Sequence, residues 1–377
     1  MIREIQIENF KSIPSLKMEL GRFNVLIGAN GCGKSNILEA ITMGSAAAAN
    51  KLDKEFLGNR GIRISENELM ISGFNGGRKD GFSIKFRDDL GSFINFSILN
   101  HHIWTVDSRN NSFLKARDKE HEEIEALIDS GNNLDVQKIR KTLEEIRFSI
   151  EENRVEFIDK NNIKSFFIFA PENYYLRNPF EENVIKPIGI KGEGLFLHLS
   201  AIGFKDPLIF NELKENLTLI DWFDDIEFDT TDDGYFTGRI KIKDRYLEEG
   251  VKYFDQRSAN EGFLFLLFYL TLFISSETPK FFAIDNIDNA LNPKLGADLM
   301  KILAKLAEKH DKQVIFTTHN PAILDGLDLS DDEQRLFVIS RNKSGYTKAL
   351  RVPDKERNTR LSESFIRGYI GGLPKNF

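Results

Sequence analysis

Residues Gly28 to Asn36 read GANGCGKSN, which sets Gly28, Gly33, Lys34 and Ser35 at the spacing G-x-x-x-x-G-K-S. Glycines at 28, 31 and 33 let the backbone turn tightly, so that successive N–H groups and a helix N-terminus point at one polyphosphate. In such a loop the Lys34 ammonium reaches the outer phosphates, and the Ser35 hydroxyl is a magnesium ligand. Asn30, Gly31, Gly33, Lys34, Ser35 and Asn36 are therefore the candidate nucleotide-binding residues. Two later segments offer the rest of a hydrolytic site. Phe281 to Asp285 is an apolar run ending in a carboxylate, which makes Asp285 the second candidate magnesium ligand. Asn286, Ile287 and Asp288 follow it, and Gln313 to Thr318 is another apolar run that delivers His319, a group able to sense a terminal phosphate or orient water. On these grounds Asp285 and His319 are candidate catalytic residues.

These residues need particular elements beneath them. Phe23 to Ile27 reads as a buried strand running into the loop, and Asn36 to Ile41 as the helix leaving it, with the small residues Gly44 to Ala49 ending that helix loosely. Ile2 to Phe10 and Ser15 to Leu20 alternate as neighbouring strands around a Lys11–Pro14 turn. Ile64 to Ile71 is expected to be a third strand. Asn75 to Gly81 is a glycine-rich turn, and Phe82–Phe86 and Ser92–Leu99 form a hairpin, giving an antiparallel half-barrel. Phe113–Ile128 and Asp135–Ile150 are charged segments with an apolar stripe. They read as a helical hairpin, either a solvated insertion packed on the core or a lid or partner-docking element. Phe166 to Ala170 returns to a strand. The aromatic and arginine stretch Pro171 to Phe180 is either a packed loop or a surface that contacts nucleic acid or a neighbouring lobe. Ile202 to Leu219 is helical with an interruption at Pro207, and acidic Asp224 to Asp233 is a solvated loop in preference to a metal site. Ser258, Asn260 and Gly262 precede the apolar helix Phe263–Ile274. They either cap it or present a hydroxyl and N–H groups to a phosphate held by a second subunit. Lys294–Ala307 is a helix, and Leu336–Ser340 with Gly345–Arg351 form a hairpin.

The chain has 377 residues, 41% of them hydrophobic, enough for a large core. Its formal charge of -7 gives no global attraction to nucleic acid. The single cysteine, Cys32, excludes an intramolecular disulfide framework and fits a reducing, cytoplasmic setting. It is either a loop-filling residue or an oxidisable one. No apolar run reaches membrane-spanning length, and the N-terminus lacks the apolar core of a secretion signal.

The opening IREIQIENFKSI, the loop GANGCGKSNILEAI, the ALNP segment and TTHNPAIL together closely resemble ABC-type ATPases of the group around RecF, the SMC proteins and the OLD family. The resemblance covers roughly residues 1 to 100 and 165 to 345. It implies an α/β fold, a P-loop NTPase with an ABC-type head. That head has a mixed central sheet, an N-terminal antiparallel β lobe and a short helical-hairpin insertion. The expected organisation is one head over 1–377, with the N-terminal lobe at 1–107, the insertion at 108–160, the C-terminal lobe at 161–345 and a tail at 346–377.

The resemblance also implies ATP and Mg2+ as cofactors and a homodimer that sandwiches ATP. In it Ser258 to Gly262 of one copy would cover the nucleotide held by Gly28 to Ser35, Asp285 and His319 of the other. Three departures stand out. Asn286 occupies the place of the usual catalytic glutamate, which implies slow hydrolysis or a displaced base, with Asp288 as substitute. No glutamine sits at a Q-loop spacing, and the insertion is too short for a long coiled-coil arm. No nuclease module is legible. Single-domain relatives resemble the ATPase subunits of antiphage systems, with a separate effector, a nuclease or toxin. The expected function is an ATP-dependent switch controlling that effector or DNA binding. A RecF-like repair clamp and a non-hydrolysing ATP-binding scaffold are the alternatives.

Overall fold

The computed structural model describes residues 1–74, 80–101, 103–110, 136–178, 186–248, 253–354 and 359–373. Thirteen strands among these residues make three sheets, and the largest carries the site. Its strands are β3 (Phe23–Ile27), β7 (Ile168–Phe169), β10 (Phe281–Ile284), β11 (Gln313–Thr318), β12 (Gln334–Arg341) and β13 (Thr347–Arg351). They lie in the order β13-β12-β3-β11-β10-β7, all parallel except the antiparallel pair β12–β13. The sheet is thus mixed, with β3 near its middle.

Both faces of the sheet are covered at its centre, and for that reason β3, β10 and β11 read as largely apolar runs. Phe23, Val25, Ile27, Phe282, Ile284, Val314 and Phe316 point into one core, shared with the apolar helix Glu261–Ile274 and the helix Pro293–Lys309. Leu26, Phe281, Ala283, Ile315 and Phe337 point into the other, shared with the phosphate-loop helix Lys34–Ala48 and the N-terminal strands. That second core joins the central sheet to a five-stranded antiparallel one. Its strands β1 (Ile2–Phe10), β2 (Ile13–Glu19), β4 (Gly81–Asp88), β5 (Phe93–His101) and β6 (Ile103–Asn110) run in the order β2-β1-β4-β5-β6.

Four local expectations change. Gly44 to Ala48 does not end the first helix loosely. It is buried helix, because small side chains let it lie close on the sheet: a Cβ at Gly44 would meet the Phe86 ring at 2.7 Å. Ile64 to Ile71 is not a strand. β4 already occupies the edge of β1 away from β2, so the segment makes only a Phe10–Ile71 bridge after a short helix, Asn67–Met70. The acidic stretch after Asp224 is not a solvated loop but mostly strand β8 (Phe223–Thr230), paired with β9 (Phe236–Asp244). Its carboxylates meet lysines: Asp224 with Lys243, Asp225 with Lys214 and Asp229 with Lys241, each at 2.7 Å. Ile202 to Leu219 divides into two helices, Leu195–Lys205 and Pro207–Leu217, because Pro207 starts a new helix whose first turn Asp206 caps.

The second arm of the expected hairpin is the helix Val136–Lys160, and the first, Phe113–Ile128, lies outside the described residues, as do residues 75–79 of the glycine-rich turn. Among the described residues no helix is long and apolar enough to cross a membrane. Two buried basic side chains brace the framework. Arg60 lies between the Phe56 and Phe167 rings, 4.2 and 4.4 Å from their centroids, and donates to the Phe166 carbonyl at 2.9 Å. Lys312 donates to Ser275, Thr278 and Pro279 oxygens at 2.7 to 3.3 Å, closing the end of the helix Glu261–Ile274.

Candidate functional site

The order of the central sheet brings three loops together at the C-terminal ends of β3, β10 and β11. Gly28 directly follows β3, Asp285 follows β10 and His319 follows β11, and β11 lies between the other two. Ligands of open α/β sheets bind at this edge. Gly31 and Gly33 take φ of 73° and 108°, the left-handed region that glycine enters without a Cβ penalty. Asn30 and Gly31 are exposed, Ser35 and Asn36 half-buried, and Lys34 is buried.

Lys34 is the hub. Its Nζ donates to the Gly28 carbonyl at 2.7 Å and lies 3.3 Å from His319 Nδ1. Burial lowers the Lys34 pKa, and Cys32, Asp285 and Asp288 oppose that shift. The His319 imidazole is held below its ordinary value first by burial and then by Lys34, against Asp288 and Asp285. It is therefore neutral at pH 7, and its Nδ1 can accept a hydrogen bond from the Lys34 ammonium. Burial pushes the Cys32 thiol up, which keeps it protonated and favours its loop-filling role.

The two carboxylates are held by consecutive threonines, residues to which sequence reasoning gave no role. Thr317 Oγ1 donates to Asp285 and accepts the Asn286 N–H at 2.9 Å. Thr318 Oγ1 donates to Asp288 Oδ1 at 2.7 Å. The sequence signal was the Thr-Thr pair directly before His319. Asn286 itself has φ of 56°, a conformation Asn tolerates better than most residues. Its side chain makes no hydrogen bond among the described residues. A buried Glu39 on the phosphate-loop helix, also unforeseen, pairs with Lys11 and with Arg63, whose Nε lies at 2.7 Å, and Asp285 acts on Arg63 as well.

Ser258, Asn260 and Gly262 lie elsewhere. Asn260 is the cap of the helix Glu261–Ile274, its Oδ1 accepting the Phe263 N–H at 2.8 Å, so the cap reading holds for it. Ser258 is exposed, and its Oγ donates to Asp255 Oδ1 at 3.3 Å. Gly262 packs against the turn after β10, where a Cβ would come within 2.9 Å of the Ala290 carbonyl. No hydrogen bond joins this segment to Gly28–Asn36 among the described residues. Arg177 donates to the Gln256 and Arg257 carbonyls at 3.1 and 2.6 Å, which ties the short helix Asn173–Arg177 to this segment.

The donor set suits magnesium. A Ser35 hydroxyl and an Asp285 carboxylate are hard oxygen ligands, and magnesium takes few protein ligands when phosphates and water complete its shell. Among the described residues no group of three or more His, Cys, Asp or Glu side chains could hold a metal alone.

The comparisons agree with this geometry. The chain resembles the SMC head bound to the C-winged helix domain of ScpA, at 13% identity over 93% of this chain and 98% of that one, with a TM-score of 0.61. It also resembles the Smc head with an extended coiled coil bound to the C-terminal domain of ScpA derived from Pyrococcus furiosus. There the TM-score is 0.53 at 14% identity over 98% and 99% of the two chains. At such identities the likeness is one of fold, the α/β ABC-type ATPase head. The DNA replication and repair protein RecF of Clostridioides difficile (strain 630) is 37% identical over 76 residues, which span 19% of this chain and 19% of RecF. Residues 23–325 match the family model described as "AAA domain, putative AbiEii toxin, Type IV TA system". With a phosphate loop, Asp285, Asp288 and His319 converging on one sheet edge, the chain belongs to that family and is an ATP-binding P-loop ATPase domain with the fold of the ABC-type head.

Proposed function

We propose that this chain is an ATP-driven switch, closed by dimerisation and reset by slow hydrolysis. The observation that carries the reading is the cluster at the sheet edge, where Lys34 Nζ lies 3.3 Å from His319 Nδ1 and both feel Asp285 and Asp288. In this reading Asn30, Gly31, Gly33 and Asn36 line the phosphate cradle, Lys34 neutralises the outer phosphates, and Ser35 with Asp285 hold Mg2+. A bound Mg2+ would neutralise charge developing on the phosphates.

Asp288 serves as the base that takes a proton from the attacking water, and Thr318 fixes the direction of its carboxylate. His319, neutral and in contact with Lys34, senses the terminal phosphate. Asn286 supplies no base, so turnover is slow. Ser258 and Gly262, which make no hydrogen bond to the chain's own loop among the described residues, cover the nucleotide of a second copy, with Asn260 capping the helix that presents them. Closure then governs a separate effector, a nuclease or toxin. The family description supports a toxin-related setting, and we place the switch in the cytoplasm.

Purified protein with ATP and Mg2+ should shift from monomer to dimer in analytical ultracentrifugation, and Lys34→Ala should abolish the shift. A wild-type chain that neither binds ATP nor changes its association state would refute the reading. The RecF match supports a second one, a DNA clamp, which requires ATP-dependent DNA binding by the purified chain alone.

A further inference from the structure

Thr347 is the first residue of β13, far in sequence from the phosphate loop, yet it is fully buried directly behind that loop. Its backbone N–H donates to the Ser12 carbonyl at 2.8 Å, which fixes β13 against the turn between β1 and β2. Its Oγ1 lies 3.0 Å from the Cys32 carbonyl and 2.7 Å from Ser12 Oγ. Asn36 Nδ2 in turn donates to Ser12 Oγ at 2.7 Å.

Donor counting gives this cluster one direction. A carbonyl only accepts, so the single Thr347 hydroxyl proton goes to Cys32, and Thr347 Oγ1 must accept from Ser12. Ser12 Oγ, having given its proton, accepts from the Asn36 amide. The result is a one-way chain from Asn36 through Ser12 and Thr347 to the Cys32 carbonyl, each link polarising the next.

The end of the chain matters most. The peptide between Cys32 and Gly33 is planar and trans, so its C=O and N–H point in opposite directions. With the Cys32 carbonyl tied to Thr347, the Gly33 N–H faces away from β13, and it has no acceptor among the described residues. Gly33 has φ of 108°, and a Cβ there would lie 2.1 Å from Thr347 Oγ1, so only glycine fits this close approach.

We propose that Thr347 is a positioning residue of the phosphate loop. Through the Cys32 carbonyl it holds the Gly33 N–H turned toward a bound phosphate, and Ser12 and Asn36 keep its hydroxyl oriented. The inference rests on the reading that this loop binds ATP.

The test uses the full chain and Thr347→Val, which keeps the shape and removes the hydroxyl, beside Thr347→Ser, which keeps the hydroxyl. ATP binding measured by calorimetry should weaken about tenfold in Thr347→Val, the effect of one lost hydrogen bond, and stay within about twofold in Thr347→Ser. Equal affinity of Thr347→Val and wild type overturns the proposal, as does an equal loss in both variants. If Thr347→Val does not fold, Ser12→Ala, which leaves the Cys32 carbonyl bonded, should weaken ATP binding by a smaller factor, and wild-type affinity overturns the chain. Lys34→Ala separates the two readings, because it removes a phosphate ligand directly. If wild type and Lys34→Ala both fail to bind ATP, the functional reading falls. Amide exchange of residues 28–36 without nucleotide then decides: faster exchange in Thr347→Val alone supports the positioning role, and unchanged exchange overturns it.

Discussion

Replacing Asp288 by Asn isolates the proposed catalytic base from every structural role of that side chain. Thr318 Oγ1 donates to Asp288 Oδ1 at 2.7 Å, and an Asn at 288 keeps an oxygen in that place, so the turn after β10 stays intact. What is lost is the negative charge and the ability to take a proton. A positioned general base contributes about 10²- to 10⁴-fold, so the single-turnover hydrolysis rate should fall by at least about a hundredfold, or ~2.7 kcal/mol of barrier. Binding should change far less, because Asp288 faces Lys34 and His319 and does not belong to the phosphate loop. ATP affinity is therefore expected within about threefold of wild type, close to the noise of a single modest interaction. A second readout follows from the same geometry. Asp288 raises the pKa values of both Lys34 and His319, so Asp288→Asn should lower the His319 titration midpoint measured by NMR. The assay is quenched-flow phosphate release with enzyme in excess, run beside calorimetric ATP binding. A variant that hydrolyses ATP within twofold of wild type would refute Asp288 as the base.

The left-handed Asn286 resists restoration of a glutamate: Asn286→Glu should cost roughly 1 kcal/mol in urea unfolding, whereas Asn286→Gly stays near wild type. Lys312→Met leaves a set of buried oxygens without their donor and should destabilise by about 2 kcal/mol, again read from urea midpoints. His198 is buried, 2.9 Å from Ser275 Oγ, and burial and the nearby Lys205 and Lys312 hold it below its ordinary value while Glu277 pulls it up. Below about pH 6.5 the unfolded chain binds this proton more readily than the folded one. Stability should thus fall as pH drops from neutral through the folded-state value, and His198→Gln should flatten that slope in thermal melts. Arg177→Ala frees the Gln256 and Arg257 carbonyls, so ATP-induced dimerisation should weaken while monomer ATP affinity holds, as seen by ultracentrifugation and calorimetry.

The sequence by itself determined the chemistry that is local in the chain. A glycine loop between a buried strand and a helix specifies a phosphate cradle, since N–H direction depends on a few consecutive φ and ψ values. β3, β10 and β11 were legible because strands covered on both faces are continuously apolar. Asp285 and His319 could be placed because a strand end fixes where the next residue lies. Only the tertiary structure decided how groups far apart in sequence are oriented. Thr317 and Thr318 reach two different carboxylates across a strand-to-strand gap, and Thr347 reaches the Cys32 carbonyl from the edge strand β13. Neither arrangement has a spacing to read. Side-chain hydroxyls are short, so the contacts exist only once strand register is set, and register is a property of the packed sheet. The same reasoning explains the local misreadings. Residues 64–71 alternate enough to suggest a strand, but a strand needs a free edge, and β4 had taken it.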